Sequence, residues 1–398
     1  MIDTAVVNNG LDGIIVAETK ISEVDGQRGK LIICGRDAEE LAFNSSLEQT
    51  CALLWSDESS ASANASEHAT WQKRFGQARL EAFDLLKKHP ILLSQQNPMD
   101  ALRSATSFLP GQENKANQSN KRSESDGPDD SADFINITAA LAVFVSNWSR
   151  VEKGLALCPP DPDLTIAADF LRTIRGEAAS QAEIQALDTY LTTVSDHGMN
   201  ASTFAARVVA STESDNISCV VAAIGALKGP LHGGAPGPVL EMLDAIGRPE
   251  NAESWLVNAV NSGKRIMGMG HRIYRVRDPR AAIFERAITS LEESGSPATR
   301  LPLARAVESA AGDLLAKLHP DRPLKANVEF YTAVLLDALR IPHNLFTATF
   351  AAGRVAGWCA HIKEQRANGR LIRPGSKYVG QYPITAMREM TEASISAN

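Results

Sequence analysis

From residue 37 onward, apolar residues recur at spacings of three and four, the pattern of helices that bury one stripe and wet the other. It predicts helices over residues 37–55 and 71–88, joined by the Ser- and Ala-rich stretch 56–70. The strongly apolar run FINITAALAVFVSNWSRV follows, too short for a good membrane span and closed by polar residues, hence a buried core helix. Further helices are predicted over 165–174, 181–193, 203–209 and 217–228. Beyond Gly237 the segments PVLEMLDAI, AESWLVNAVNS, RAAIFERAITSLEE, PLARAVESAAGDLLAKL, ANVEFYTAVLLDAL and LFTATFAAGRVAGWCAHIKEQRAN repeat the helical period. Only LDGIIVAETKISEVDGQRGKLIICG breaks it: short β-branched runs between DG and RG signals predict a minor N-terminal β element. The pattern points to a mainly α protein, not a doubly wound sheet, and no repeat period suggests a solenoid.

Residues 111–133, GQENKANQSNKRSESDGPDDSAD, contain no aromatic or β-branched side chain to anchor them, which predicts a solvated loop. A chain of 398 residues can bury a substantial core and form two domains, one inserted in the other. Its net charge of −7 gives no general attraction to nucleic acid or to an anionic membrane, so anion binding must be local. Cys34, Cys51, Cys158, Cys219 and Cys359 are scattered and form no CxxC pair. They read as reduced, mostly buried thiols. With no basic-then-apolar start to the chain and no membrane span, the expectation is a soluble cytoplasmic protein.

Three segments stand out chemically: GPLHGGAPG around His232, IMGMGHRIYRVRDPR around His271, and KANVEF around Glu329. Gly268 and Gly270 allow a tight turn and close approach of a ligand, but MGMGH completes neither a dinucleotide nor a P-loop fingerprint. Each histidine could instead be a hydrogen-bonded core residue beside a structural turn, and Glu329 could simply favour a helix N-terminus. Arg272, Arg275, Arg277 and Arg280 form a cluster of forked donors suited to carboxylates or phosphates, or a solvated charged face, the reading preferred for Arg277. Arg354 lies within FAAGRVAG, whose small apolar neighbours predict burial. A buried guanidinium needs a protein or substrate carboxylate. A zinc site from His197, His232 and His271 matches no compact ligand spacing, so no metal is expected.

The stretches GLDGIIVAETKISEVDG, NPMDALRSA, SDHGMNASTFAARVVAST, ALKGPLHGGA, MGMGHRIYRVRDPRA, NVEFY, FAAGRVAGWCAHIKEQ and LIRPGSKYVG, in this order, resemble the citrate synthase family, which includes 2-methylcitrate synthases, over nearly the full length. The resemblance implies an almost entirely helical two-domain fold: a large domain from residues 1–232 and 344–398, and an inserted small domain from 233–343 that closes over the substrates. It implies condensation of acetyl-CoA, as cosubstrate, with oxaloacetate and hydrolysis of the thioester, with no tightly bound cofactor. By resemblance Glu329 is the base, His232 hydrogen-bonds to the thioester oxygen, and His271 is the acid at the oxaloacetate carbonyl. His197, Arg280 and Arg354 hold the dicarboxylate, joined by Arg373 from the other subunit of a homodimer. Arg275, Met267, Gly268 and Gly270 approach CoA.

Two positions depart from the family pattern: Glu329 stands where aspartate is usual, and Pro236 where asparagine follows HGGA. Glutamate keeps the base but lengthens it by one methylene, so the carboxylate must be repositioned. The competing functions are a 2-methylcitrate synthase using propionyl-CoA, and a catalytically silent relative acting as a binding or regulatory protein.

Overall fold

Short polar side chains set before apolar runs start many of the helices, because each accepts a backbone N–H that the first turn leaves unpaired. The computed structural model describes residues 7–56, 65–111, 130–233, 236–296, 300–320 and 324–381. Strands β1 (Ser22–Asp25), β2 (Lys30–Ile33) and β3 (Arg36–Asp37) form an antiparallel sheet in that order, with Val24 opposite Leu31 and Ile32 opposite Asp37. The predicted helix over 37–55 is two helices, α1 (Ala38–Asn44) and α2 (Leu47–Trp55). The break arises because Ser46 and Gln49 form a capping box that starts a new helix.

α3 (Ala65–Lys88) begins earlier than its periodicity suggested. α4 (Pro98–Ser107) is absent from the sequence reading although its start signal is clear: Asn97 accepts from the N–H groups of Met99 and Asp100, and proline fills the first turn. α5 (Ser131–Glu152) starts inside the stretch read as a loop; residues 112–129 of that stretch lie outside the described residues. α6 (Ile166–Arg175) ends at Gly176, which takes φ 81°, and α7 (Gln181–Val194) opens on a Ser180–Glu183 capping box. α8 (Ala201–Ala210) and α9 (Asn216–Leu227) follow. The remainder comprises α10 (Pro236–Ile246), α11 (Ala252–Asn261), α12 (Pro279–Glu293), α13 (Leu301–Leu318), α14 (Val328–Ala338) and α15 (Phe346–Asn368).

α5 is long and apolar enough to cross a membrane, yet 83% of its apolar window is buried inside the protein, as in a core helix. α15 is likewise covered on nearly all sides and packs on α2, α5, α7, α8 and α9. Its glycines allow the closest approach: a Cβ on Gly357 would lie 2.2 Å from the Ser195 carbonyl oxygen, and one on Gly353 2.9 Å from that of Leu191. This contact presses Arg354, Trp358 and His361 of α15 against the segment that leaves α7. Helices α10 to α14 pack largely on one another, chiefly α12 on α14, α11 on α13 and α10 on α14, while α12 also packs on α7. The described terminal residues, 7–18 and 371–381, belong to a separate compact unit that contains neither helix nor strand among them. All five cysteines are free thiols, three of them buried.

Candidate active site

After α11 the chain turns through Gly268 and Gly270, at φ 73° and 86°, a left-handed backbone that favours glycine. Space requires glycine as well: a Cβ at Gly268 would lie 2.8 Å from Phe330, and one at Gly270 2.9 Å from Leu324. Gly270 N–H donates to Lys325 O at 2.7 Å, Asn327 N–H to Gly268 O at 3.0 Å, and Asn327 Nδ2 to Gly270 O at 2.9 Å. These bonds pin the turn before His271 to the segment that enters α14 and carries Glu329. Asn327 also caps α14, its Oδ1 accepting from Glu329 N–H at 3.1 Å. On the far side the β1–β2 hairpin braces the same loop, with Arg275 N–H donating to Gly26 O at 2.9 Å.

His271 Nδ1 accepts from the N–H groups of Ile273 and Tyr274, each at 3.1 Å. These two shorter bonds, against one 3.5 Å approach of Arg280 Nη2 to Nε2, leave the proton of the neutral ring on Nε2. Burial, reinforced by Arg280, pushes the His271 pKa down to about 4, so the ring is neutral at pH 7. Arg280 is buried and grips Asp278 with Nε at 3.0 Å and Nη2 at 2.7 Å. Burial alone would weaken its charge, but Asp278 outweighs it and raises the guanidinium pKa. Glu329 is half-buried, and loss of water raises its pKa above the usual carboxylate value, against the opposing pull of Arg280.

His197 follows Asp196 in the segment beyond α7. Asp196 is fully buried, accepts from His361 Nε2 at 3.1 Å and from Gly198 N–H at 2.9 Å, and bonds to the Ser22 hydroxyl. Arg207 Nη1 donates to His361 Nδ1 at 3.0 Å, leaving Nε2 as the donor toward Asp196. His197 itself lies edge-on to His271, ring centroids 5.7 Å apart. Its pKa falls well below 6.5, first through burial and then through Arg280 and Arg354. His232 sits in the turn after α9, and Gly233 beside it has no room for a side chain, because a Cβ would lie 2.4 Å from Leu227 O. His232 Nε2 faces the N-terminus of α8, 3.3 Å from Ser202 N and 2.8 Å from Ser202 Oγ, which in turn accepts from Trp358 Nε1 at 3.1 Å. Since the Ser202 N–H donates to Nε2, Nδ1 carries the ring proton. Burial, with Arg354 adding to it, holds the His232 pKa at about 4.

Arg354 is 1% exposed. Its Nε donates to Val194 O, its guanidinium carbon lies 4.6 Å from the Phe350 ring centroid, and among the described residues no hydrogen-bond acceptor meets Nη2. Burial lowers its pKa to about 10. Arg280 acts electrostatically on His197, His271 and Glu329, and Arg354 on His197 and His232, so these six residues share one charged neighbourhood.

The fold therefore gathers His197, His232, His271, Arg280, Glu329 and Arg354 and adds groups the sequence did not single out: Asp196, Ser202, Tyr274, Asn327, Trp358 and His361. Of these only Asn327 carried a local signal, a capping residue ahead of an apolar helix. Met267 is half-buried at the glycine turn and Arg275 exposed beyond it. Arg373 is exposed in the terminal unit. Arg277 is not on a solvated face. It is partly buried, bonded to Glu308 at 2.7 Å and Glu285 at 2.7 Å, and its guanidinium carbon lies 5.0 Å from the Tyr331 ring centroid, a structural network. Among the described residues no group of three His, Cys, Asp or Glu side chains could hold a metal ion.

A family model described as citrate synthase, C-terminal domain, matches residues 10–375. The chain belongs to the citrate synthase family. It is 34% identical to a citrate synthase of Haloferax volcanii over 390 residues, covering 94% of this chain and 96% of that one. Among solved structures, the citrate synthase of Pyrobaculum aerophilum superposes with a TM-score of 0.82 at 32% identity, covering 95% of this chain and 94% of that one. The Thermoplasma acidophilum citrate synthase, solved as a ternary complex with carboxymethyl coenzyme A and oxaloacetate, superposes with a TM-score of 0.79 at 27% identity, covering 96% of this chain and 100% of that one. The mainly helical architecture with a minor N-terminal sheet is the one the periodicity predicts, and the citrate synthase fold is the one the resemblance implies.

Proposed function

We propose that this site condenses acetyl-CoA with oxaloacetate and hydrolyses the product thioester, giving citrate and CoA. The observation that carries the assignment is Arg354: a buried guanidinium with an unpartnered Nη2 calls for an anionic ligand. Arg280 and His197 supply the remaining contacts for a dicarboxylate, and Arg373 of the partner subunit completes them in a homodimer with shared sites.

The Glu329 carboxylate takes a proton from the acetyl methyl group, while His232 Nδ1–H donates to the thioester oxygen as the enol forms. Three neutral rings suit this chemistry, since a neutral donor stabilises developing charge without itself needing to lose a net charge first. The enol carbon then bonds to the oxaloacetate ketone carbon as the C=O π bond opens, and His271 Nε2–H gives its proton to the ketone oxygen; the proton that Glu329 took is released and the imidazole regains one from water, so both groups return to their starting states. Water cleaves the resulting citryl thioester, releasing CoA as the thiol. Raised pKa makes Glu329 a stronger base than an ordinary carboxylate.

The small domain spans 233–343 and the large domain 1–232 and 344–398, a division supported by the mutual packing of α10 to α14. Met267, Gly268, Gly270 and Arg275 form the CoA-facing edge, with backbone exposed by the missing glycine side chains. The protein works in the cytoplasm. The test is release of free thiol from oxaloacetate with acetyl-CoA and, separately, propionyl-CoA, with Glu329→Gln as control. Acetyl-CoA turnover lost in the control is expected; a propionyl-CoA preference would make the protein a 2-methylcitrate synthase, and no turnover with either would make it a silent relative.

A further inference from the structure

Tyr274 meets three residues of the site: His271, Arg280 and His197. It is 3% exposed, its backbone N–H donates to His271 Nδ1 at 3.1 Å, and its ring centroid lies 4.9 Å from that of His271. The Arg280 guanidinium carbon is 6.0 Å from the same ring. Its hydroxyl meets His197 Nε2 at 3.1 Å. A phenol can donate one hydrogen bond and accept two, whereas a neutral imidazole has one nitrogen of each kind. The hydroxyl is therefore a proton-bearing group inside the ring of cations and histidines that awaits an anion.

We propose that the Tyr274 hydroxyl is a substrate-binding group, donating a hydrogen bond to a carboxylate oxygen of the dicarboxylate; this rests on the reading of the site given above. A carboxylate only accepts, so at the position between His197 and His271 it needs donors, and the phenol supplies one without adding a buried charge. When the anion enters, the phenol O–H donates to the carboxylate oxygen while the hydroxyl oxygen stays beside His197 Nε2. No covalent bond changes.

Tyr274→Phe keeps the ring against His271 and Arg280 and removes only the hydroxyl. The expected result is a rise of about 10- to 100-fold in the Kd for oxaloacetate, the range for losing a hydrogen bond to a charged group, with kcat and the KM for acetyl-CoA at saturating oxaloacetate changed less than about threefold. Titration of oxaloacetate into Tyr274→Phe, His197→Asn and the double variant separates direct contact from an action through His197. Direct contact predicts that Tyr274→Phe weakens binding further in the His197→Asn background. An unchanged Kd in Tyr274→Phe, or no added loss in the double variant, overturns the proposal. Failure of the parent protein to bind oxaloacetate would overturn the reading of the whole site instead.

Discussion

The loop that enters α12 and the middle of α15 each bury an arginine, at 3% and 1% exposure, and they treat it in opposite ways. In the loop, Asp278 stands two residues before Arg280, caps α12 through Arg280 N–H, and holds the guanidinium in a two-pronged pair at 2.7 and 3.0 Å. The charge is balanced before any ligand arrives. In α15 the neighbours of Arg354 are small and apolar, Nε reaches one carbonyl, and Nη2 has no partner among the described residues. The same residue type is thus charge-balanced by a protein carboxylate in one region and left with an unpartnered nitrogen in the other. Asp196 attracts the Arg354 guanidinium but does not offset its burial, which still lowers the pKa.

The largest effect expected at the site is at Glu329, the proposed base, on which Arg280 acts. Glu329→Gln should lower kcat by about 10²- to 10⁴-fold, the range for removing a general base, measured by thiol release. Because burial disfavours the Glu329 carboxylate, the same variant should melt no lower than the parent at pH 7. A loss of both activity and stability would mean that Glu329 is structural. Arg280→Met should cost about 3–5 kcal/mol in urea unfolding, since it leaves Asp278 buried without its cation. A loss under about 1 kcal/mol would remove the contrast between the two regions.

The histidines sharpen the comparison through pH. His232 and His271 have folded pKa values of about 4 against an ordinary 6.5, so between those values the unfolded chain binds more protons than the folded one. Stability should therefore rise with pH across the window from about 4 to about 6.5 and be lost on acidification through it. Melting temperatures of the parent and of His271→Asn across that window test this: the variant should show the shallower slope. The smallest effect is at Ser202. Ser202→Ala removes the hydroxyl between His232 and Trp358 but keeps the α8 N–H, so kcat/KM should fall only about five- to tenfold, near 1 kcal/mol.

The same contrast explains what the sequence could and could not reveal. Helical periodicity is written along the chain, so α5, α7 and α12 to α15 are legible within a few residues. α4 is not, because its ten residues mix Ser, Thr and Arg with few large apolar side chains, although Asn97 and Pro98 mark its start. The break between α1 and α2 depends on a capping box that a continuous apolar pattern conceals. At the site, glycine settings betray His232 and His271, and small neighbours betray the burial of Arg354. The supports are invisible at that level: His361 meets Asp196 across 165 residues of sequence, and Trp358 meets Ser202 across 156. Only the crossing of α15 over α7 and α8 makes those partners.

Thermal melting of Arg354→Met with and without oxaloacetate asks whether Arg354 is held ready for a substrate carboxylate. Ligand binding to the folded state raises the melting temperature by mass action. Oxaloacetate should stabilise the parent, whereas the variant should melt at or above the unliganded parent and gain nothing from the ligand. A variant that melts well below the parent, or keeps the full oxaloacetate shift, would contradict it.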